Sequence, residues 1–266
     1  MVWLKALGML AVAYMIGSVP FGYIFVKMKT GRDVRKIQSG RTGTTNAMRA
    51  AGVWVGAATV VMDILKGMLA VWVAKEVFPA QPWMHVAAPL VMIIGHNYSL
   101  VMVEHNEKGK PVLKGGAGGA PSVGGAMGLW WPVALIQIPV GAVILLGVGY
   151  ASVATMSVPL IAAVVFAWRA ARGLGPWVYV AYGLLAEVLL LYSLRPNIKR
   201  LLRGEERVVG LRVWLRRSKK SAPKASKKPT ATPEEQSASP HPPPEQDEAP
   251  AIKDRARKLD TPAGVW

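Results

Sequence analysis

The chain has 266 residues, 52% hydrophobic and only 18% charged, with no cysteine and a net charge of +17 from 32 Lys/Arg against 15 Asp/Glu. This composition, with a mean hydropathy of +0.29, excludes an ordinary soluble domain, and the missing cysteines exclude disulfide and thiol chemistry. Nor does the charge point to nucleic acid: residues 1–195 carry 16 Lys/Arg against 6 Asp/Glu, mostly in loops between apolar runs, as membrane topology and anionic headgroups favour.

Crossing a bilayer takes about 20 apolar residues as a helix, and several runs meet that length. The first span is expected at about residues 3–26, too long for a signal-peptide core and without a cleavage site, hence retained. A basic loop follows with Lys27, Lys29, Arg32, Arg35, Lys36, Arg41 and Arg49 against Asp33 alone. Spans at about 53–78 and 83–103 come next, then a loop with Lys108, Lys110 and Lys114 leading into Gly115-Gly116-Ala117-Gly118-Gly119. The run 119–150 exceeds one crossing and is interrupted by Pro132 and Pro139, which predicts a short span and a full one. Two more spans are expected at about 152–168 and 176–194. The fold class is all-α: a polytopic transmembrane helical bundle of about seven spans. Hydropathy alone also permits five or six. Seven place the basic loops and the C-terminal end on the cytoplasmic side of a cell membrane and leave Arg169 and Arg172 outside. Residues 196–217 read as a basic segment with a short surface helix, of which 208–217 is the juxtamembrane part. Residues 218–266, rich in Ser, Pro, Ala, Lys and Glu, read as a disordered cytoplasmic tail.

Two stretches suit phosphate. In residues 31–49, Ser39, Thr42, Thr44, Thr45 and Asn46 stand among Arg35, Arg41 and Arg49, so hydroxyls, guanidinium groups and open backbone amides are at hand. Lys114 to Ser122 is Gly-rich and precedes an apolar helix whose free N–H groups would favour an anion. It lacks the Gly-Lys-Ser/Thr ending of a nucleotide loop. An ordinary positive-inside loop and a flexible turn are the plainer readings of the two. Asp63 and Lys66, at i and i+3 within a span, are placed to pair. Glu187 has no evident partner, and His96 reads as a packing or interface residue. No His/Cys/Asp/Glu motif suggests a metal, and no cofactor is expected. Neither a His-x4-Asp motif nor a Gly-x-Ser-x-Gly elbow is present.

Several motifs occur together: Gly17-Ser-Val-Pro-Phe-Gly-Tyr, Asp33-x-Arg35, Ser39-Gly-x-x-Gly-x-Thr-Asn46-x-x-Arg49-x-x-Gly52, Asp63-Ile-Leu-Lys-Gly67, Gly95-His96, Lys114-Gly-Gly-x-Gly118, Tyr150-x-Ser152 and Asn197-Ile-Lys-Arg-Leu-Leu-x-Gly204-x-Glu206. In order and spacing they resemble the bacterial acyl-phosphate:glycerol-3-phosphate acyltransferases, the PlsY family, over about residues 10–207. The resemblance implies a membrane domain at 1–207. It also implies transfer of a fatty acyl group from acyl-phosphate to the 1-hydroxyl of glycerol-3-phosphate, giving lysophosphatidic acid and phosphate. The implied partners are the two substrates and membrane lipids, in a bacterial inner membrane. Catalysis falls to Ser39 and Arg49. Gly43, Thr45 and Asn46 shape the pocket, Lys114, Gly115, Gly116 and Gly118 hold one phosphate, and Asn197 and Arg200 hold the other.

The chain departs from the family pattern at several places, among them four side chains and, in the second motif, Gly119 and Pro121 for the usual Val and Thr. Gln38 stands for the usual Gly, Arg41 for Asn, Ala117 for an inner Lys and Leu194 for a His three residues before Asn197. A second reading is therefore a re-purposed member that binds lipid or phosphate without turnover. A third, a transporter, would call for repeated halves that the hydropathy does not show.

Overall fold

The computed structural model describes residues 1–209. Helices run over Val2–Ser18 (α1), Phe21–Thr30 (α2), Thr44–Ala51 (α3), Val53–Val77 (α4), Pro82–Asn97 (α5), Gly119–Leu129 (α6), Ala134–Val148 (α7), Ala151–Ala171 (α8) and Val178–Leu202 (α9). Among the described residues six helical stretches are long and apolar enough to cross a membrane: 2–30, 53–77, 82–102, 131–148, 151–171 and 178–202. Helix α6 has 11 residues and rises about 16 Å, half the hydrocarbon thickness.

The short helix packs inside the bundle, with most of its residues buried. At its end, Lys75 Nζ of α4 donates to the carbonyls of Gly128 (2.8 Å) and Leu129 (3.2 Å), capping acceptors that a helix C-terminus leaves open. Beside it, Arg169 of α8 stacks 3.9 Å from the centre of the Trp130 ring. Its other end lies on the face carrying the two Gly-rich loops. Where a short and a full span were expected over 119–150, the chain forms two helices, α6 and α7, separated by Trp130–Val133, and the stretch 131–148 is long and apolar enough to cross. Pro139 lies within α7 and leaves it continuous.

Close backbone approach holds these helices together, because lipid supplies no hydrophobic drive between them. A Cβ on Gly124 would lie 2.0 Å from the Ile64 carbonyl oxygen, and one on Gly17 would lie 2.0 Å from that of Met92. Tyr182, Phe166, Met92, Ile93 and Leu190 fill the remaining interior. Leu7, Val61, Leu69, Val143, Val164 and Val188 face outward, as a lipid-exposed surface requires.

Three sequence expectations need correction. The first span is broken at Val19–Pro20 into α1 and α2, since Pro20 cannot donate to the helix. The carbonyls left at the break find other donors: Lys66 Nζ reaches Gly17 O and Val19 O (both 3.1 Å), and Ser99 Oγ reaches Ser18 O (2.6 Å). The basic loop after α2 contains a helix, α3, that hydropathy does not reveal. A separate surface helix from residue 196 does not form over the described residues, because α9 continues through Pro196 to Leu202. The chain then turns back, and Val209 N–H donates to Gly149 O (2.8 Å). Residues 210–217 of the juxtamembrane segment and the tail at 218–266 lie outside the described residues.

Candidate active site

The loop between α2 and α3 is shaped by its own side chains. Asp33 accepts from the Arg35 backbone N–H (2.9 Å) and from Arg35 Nε and Nη2 (3.0 and 2.7 Å). These contacts, the Arg35 side chain foremost, hold the Asp33 carboxyl below the ordinary carboxylate range. Asn46, fully buried at the start of α3, points its amide nitrogen at the carbonyls of Val34, Ile37 and Arg41 (3.0, 2.9 and 2.9 Å). One side chain thereby ties three points of the loop. Gln38 adopts φ +50°, a left-handed conformation natural to glycine and costly for other residues.

The second loop docks on the first. Thr42 N–H donates to Gly115 O (3.1 Å) and Gly116 N–H to His96 O (2.9 Å). A Cβ on Gly43 would sit 3.9 Å from Gly116 Cα. The start of α3, capped by Gly43, and the start of α6, capped by Gly118 at φ +91°, therefore face one cavity. Each helix start presents amide N–H groups with no intrahelical acceptor. Thr44 adds a buried hydroxyl with no partner among the described residues.

The cavity occupies about 760 Å³ including the open solvent at its mouth. Its wall is strongly basic. Arg41 is largely buried. Its guanidinium donates to Gly116 O (3.2 Å), Ser193 Oγ (3.0 Å), Ser193 O (2.6 Å) and Asn197 Oδ1 (3.4 Å), all neutral acceptors. Among the described residues Arg41, Arg49 and Arg207 have no ion-pair partner. Burial pulls the pKa of Arg41 and of Arg49 below the ordinary guanidinium value, reinforced by Arg200 at the first and Arg207 at the second. Three cations without counter-ions beside two helix starts make a site for anions.

Glu206 anchors the far wall. It accepts from Asn197 Nδ2 (2.9 Å), Arg200 Nε (3.1 Å) and Ser152 Oγ (3.4 Å), joining α9 to the start of α8. Arg200 itself lines the cavity. Among the described residues no cluster of three His, Cys, Asp or Glu side chains forms that would hold a metal.

Of the residues singled out by sequence, Ser39, Gly43, Thr45, Asn46, Arg49, Gly118, Asn197 and Arg200 line this cavity. Lys114 does not. After the hairpin Val103–His105 and Pro111–Leu113, its ammonium lies 3.9 Å from Glu104. Gly115 and Gly116 act from behind, through backbone groups that bond to Thr42, His96 and Arg41. Arg41, Thr44, Asp63, His96, Ser152, Glu206 and Arg207 line the cavity without having been chosen. For Arg41, Ser152 and Glu206 the signal was their place inside the quoted motifs.

Residues 7–204 match the family described as glycerol-3-phosphate acyltransferase. The chain belongs to this family. A glycerol-3-phosphate acyltransferase of Gloeobacter violaceus is 35% identical over 215 residues, covering 78% of this chain and 97% of its own. One from Thermus thermophilus is 35% identical over 207 residues, covering 78% and 96%. A crystal structure of PlsY, an integral membrane glycerol 3-phosphate acyltransferase in its glycerol 3-phosphate form, superposes with a TM-score of 0.66. It is 31% identical and covers 79% of this chain and 98% of that one. Like this acyltransferase relative, the chain is an integral membrane protein.

Proposed function

We propose that this cavity transfers a fatty acyl group from acyl-phosphate to the 1-hydroxyl of glycerol-3-phosphate, releasing lysophosphatidic acid and phosphate. The observation that carries the reading is the meeting in one cavity of two helix starts and three arginines without an ion-pair partner among the described residues. Both substrates are phosphate anions, and one brings a lipid tail that must stay in the bilayer. The relatives are glycerol-3-phosphate acyltransferases by name, and PlsY has been crystallised in glycerol 3-phosphate and lysophosphatidic acid forms. The basic loops at this face argue for the cytoplasmic side of a bacterial cell membrane.

Acyl-phosphate arrives activated, so the protein needs to align two anions and stabilise developing charge. The glycerol hydroxyl oxygen attacks the acyl carbonyl carbon, the bond from that carbon to the phosphate oxygen breaks, and phosphate leaves. The hydroxyl proton goes to a phosphate oxygen, and the exposed Ser39 hydroxyl at the cavity rim is placed to relay it. Arg49 faces the reacting group and draws the phosphate. Gly118 and the first turn of α6 hold it through N–H groups. Arg200, positioned by Glu206, takes the second phosphate. Asn197 and Asn46, whose amides are committed to neighbouring protein atoms, act as positioning residues.

Arg41 bears on whether the family departures matter. Ala117 and Leu194 both line the cavity, and Arg41 bonds to the residues just before each, Gly116 and Ser193. A guanidinium at that spot supplies the positive charge that Ala117 and Leu194 do not, which favours turnover over a merely binding protein.

The test is phosphate release and lysophosphatidate formation by purified protein in lipid, from palmitoyl-phosphate and glycerol-3-phosphate. Wild type is expected to turn over and Arg49→Ala to lose about 100-fold or more. No turnover from folded protein would move the assignment to a phosphate-binding member of the family.

A further inference from the structure

Beneath the arginine-lined wall, three ionisable side chains meet at the cavity floor, and the acyl-transfer scheme above uses none of them. Asp63 and Lys66 of α4 and His96 at the end of α5 are each about 5% exposed or less. Lys66 Nζ lies 2.9 Å from Asp63 Oδ1, 3.1 Å from Gly17 O, 3.1 Å from Val19 O and 2.8 Å from His96 Nδ1. A lysine ammonium has donors and no acceptor. Carbonyl and carboxylate oxygens only accept, so this nitrogen stands as donor among them. An ammonium has no lone pair to accept with, and Asp63 Oδ1, 3.7 Å from His96 Nδ1, lies beyond hydrogen-bond reach, so we assign Nδ1 as the acceptor and the ring proton to Nε2.

Among the described residues Nε2 hydrogen-bonds no protein atom, yet His96 lines the cavity beside Ala117 and Gly118. A Cβ on Gly116 would fall 1.9 Å from Nε2, so the glycine keeps the space in front of the ring edge open. A buried donor fixed from behind and open in front is the arrangement that stabilises an anionic oxygen without reorganisation.

We propose that His96 donates its Nε2–H to an anionic oxygen of the acyl-phosphate during transfer, with Lys66 and Asp63 as the positioning residues that fix the ring and its tautomer. The inference rests on the acyl-transfer reading of the cavity. The proton stays on Nε2 throughout, so His96 is a donor to the reacting group and not its base.

Two substitutions separate this role from a packing role. In His96→Asn the amide oxygen stands near the place of Nδ1, so the Lys66 contact is kept and the cavity donor is lost. In His96→Gln the amide nitrogen stands near the place of Nε2, so the donor is kept. With palmitoyl-phosphate and glycerol-3-phosphate, His96→Asn is expected to lose about 100-fold in kcat at an unchanged melting temperature. His96→Gln is expected to stay within about tenfold of wild type. Wild-type activity in His96→Asn, or equal losses in both variants with lowered melting, would overturn the proposal. Ring-15N histidine spectra give a readout that needs no turnover. An unprotonated Nδ1 and a protonated Nε2 that shifts on titration with inorganic phosphate support it, while the opposite tautomer or an unmoved Nε2 overturns it. Should wild type release no phosphate at all, the acyl-transfer reading fails, and the spectra still judge the donor.

Discussion

Replacing Lys66 by methionine isolates the energetics of the buried cluster, because methionine has nearly the same length and no charge. The change strands the Asp63 carboxylate, and breaking one side of a buried ion pair costs about 3–5 kcal/mol. It also removes the donor from the Gly17 and Val19 carbonyls at the break between α1 and α2, at about 1–3 kcal/mol for each acceptor left unmet. The sum is about 5 kcal/mol or more, a large part of the 5–15 kcal/mol that holds a typical domain folded. Replacing Asp63 by asparagine in the same chain removes the stranded charge and should recover about 3 kcal/mol, leaving the carbonyl cost in place. At roughly 2–4 °C per kcal/mol for a domain of about this size, the double variant should melt about 6–12 °C above Lys66→Met and still below wild type. Tryptophan fluorescence in detergent during heating measures both. Equal melting of Lys66→Met and the double variant would refute the argument, since it would mean that Asp63 does not depend on the ammonium.

Two further outcomes are expected from the loops. Arg41→Lys keeps the charge but loses the planar fork that spans Gly116 and Ser193; kcat/KM in the phosphate-release assay should fall about 10- to 100-fold, and an unchanged value would show the fork to be dispensable. Asp33 is held below its ordinary pKa by Arg35, so its contribution to stability is present above about pH 4, its unfolded value, and is lost as pH falls through the folded one. Asp33→Asn should therefore melt below wild type at pH 7, with the gap narrowing as pH drops below about 4; a gap that is constant from pH 7 to pH 2 would contradict the pairing.

The site was partly legible. Residues near one another in sequence, such as Ser39, Asn46 and Arg49, could be grouped because a short loop confines them. Arg41 was visible as a departure from the family pattern, but its bonds to Ser193 and Asn197 run over more than 150 positions, a distance no local pattern conveys. The place of Lys114 was illegible for the same reason: its motif marks the loop, while its nearness to Glu104 depends on the hairpin beside it. Lys66 and Asp63 could be paired from their i, i+3 spacing on one helix. That His96 completes the cluster depends on how α5 lies against α4.

What the sequence determined by itself is the membrane class, the positions of the long helices and the two glycine-rich loops. Hydrophobic length is set against the bilayer thickness residue by residue and needs no tertiary partner. The family motifs added which loops belong to one site. Only the tertiary structure decided that α1 breaks from α2 with its carbonyls met by Lys66 and Ser99, that the starts of α3 and α6 face one another, and that Arg41, His96 and Glu206 meet around one cavity. Those outcomes depend on close backbone contact at glycines on separate helices, such as Gly17 on Met92 and Gly124 on Ile64. Contact between distant segments is a property of packing, which composition and periodicity do not encode.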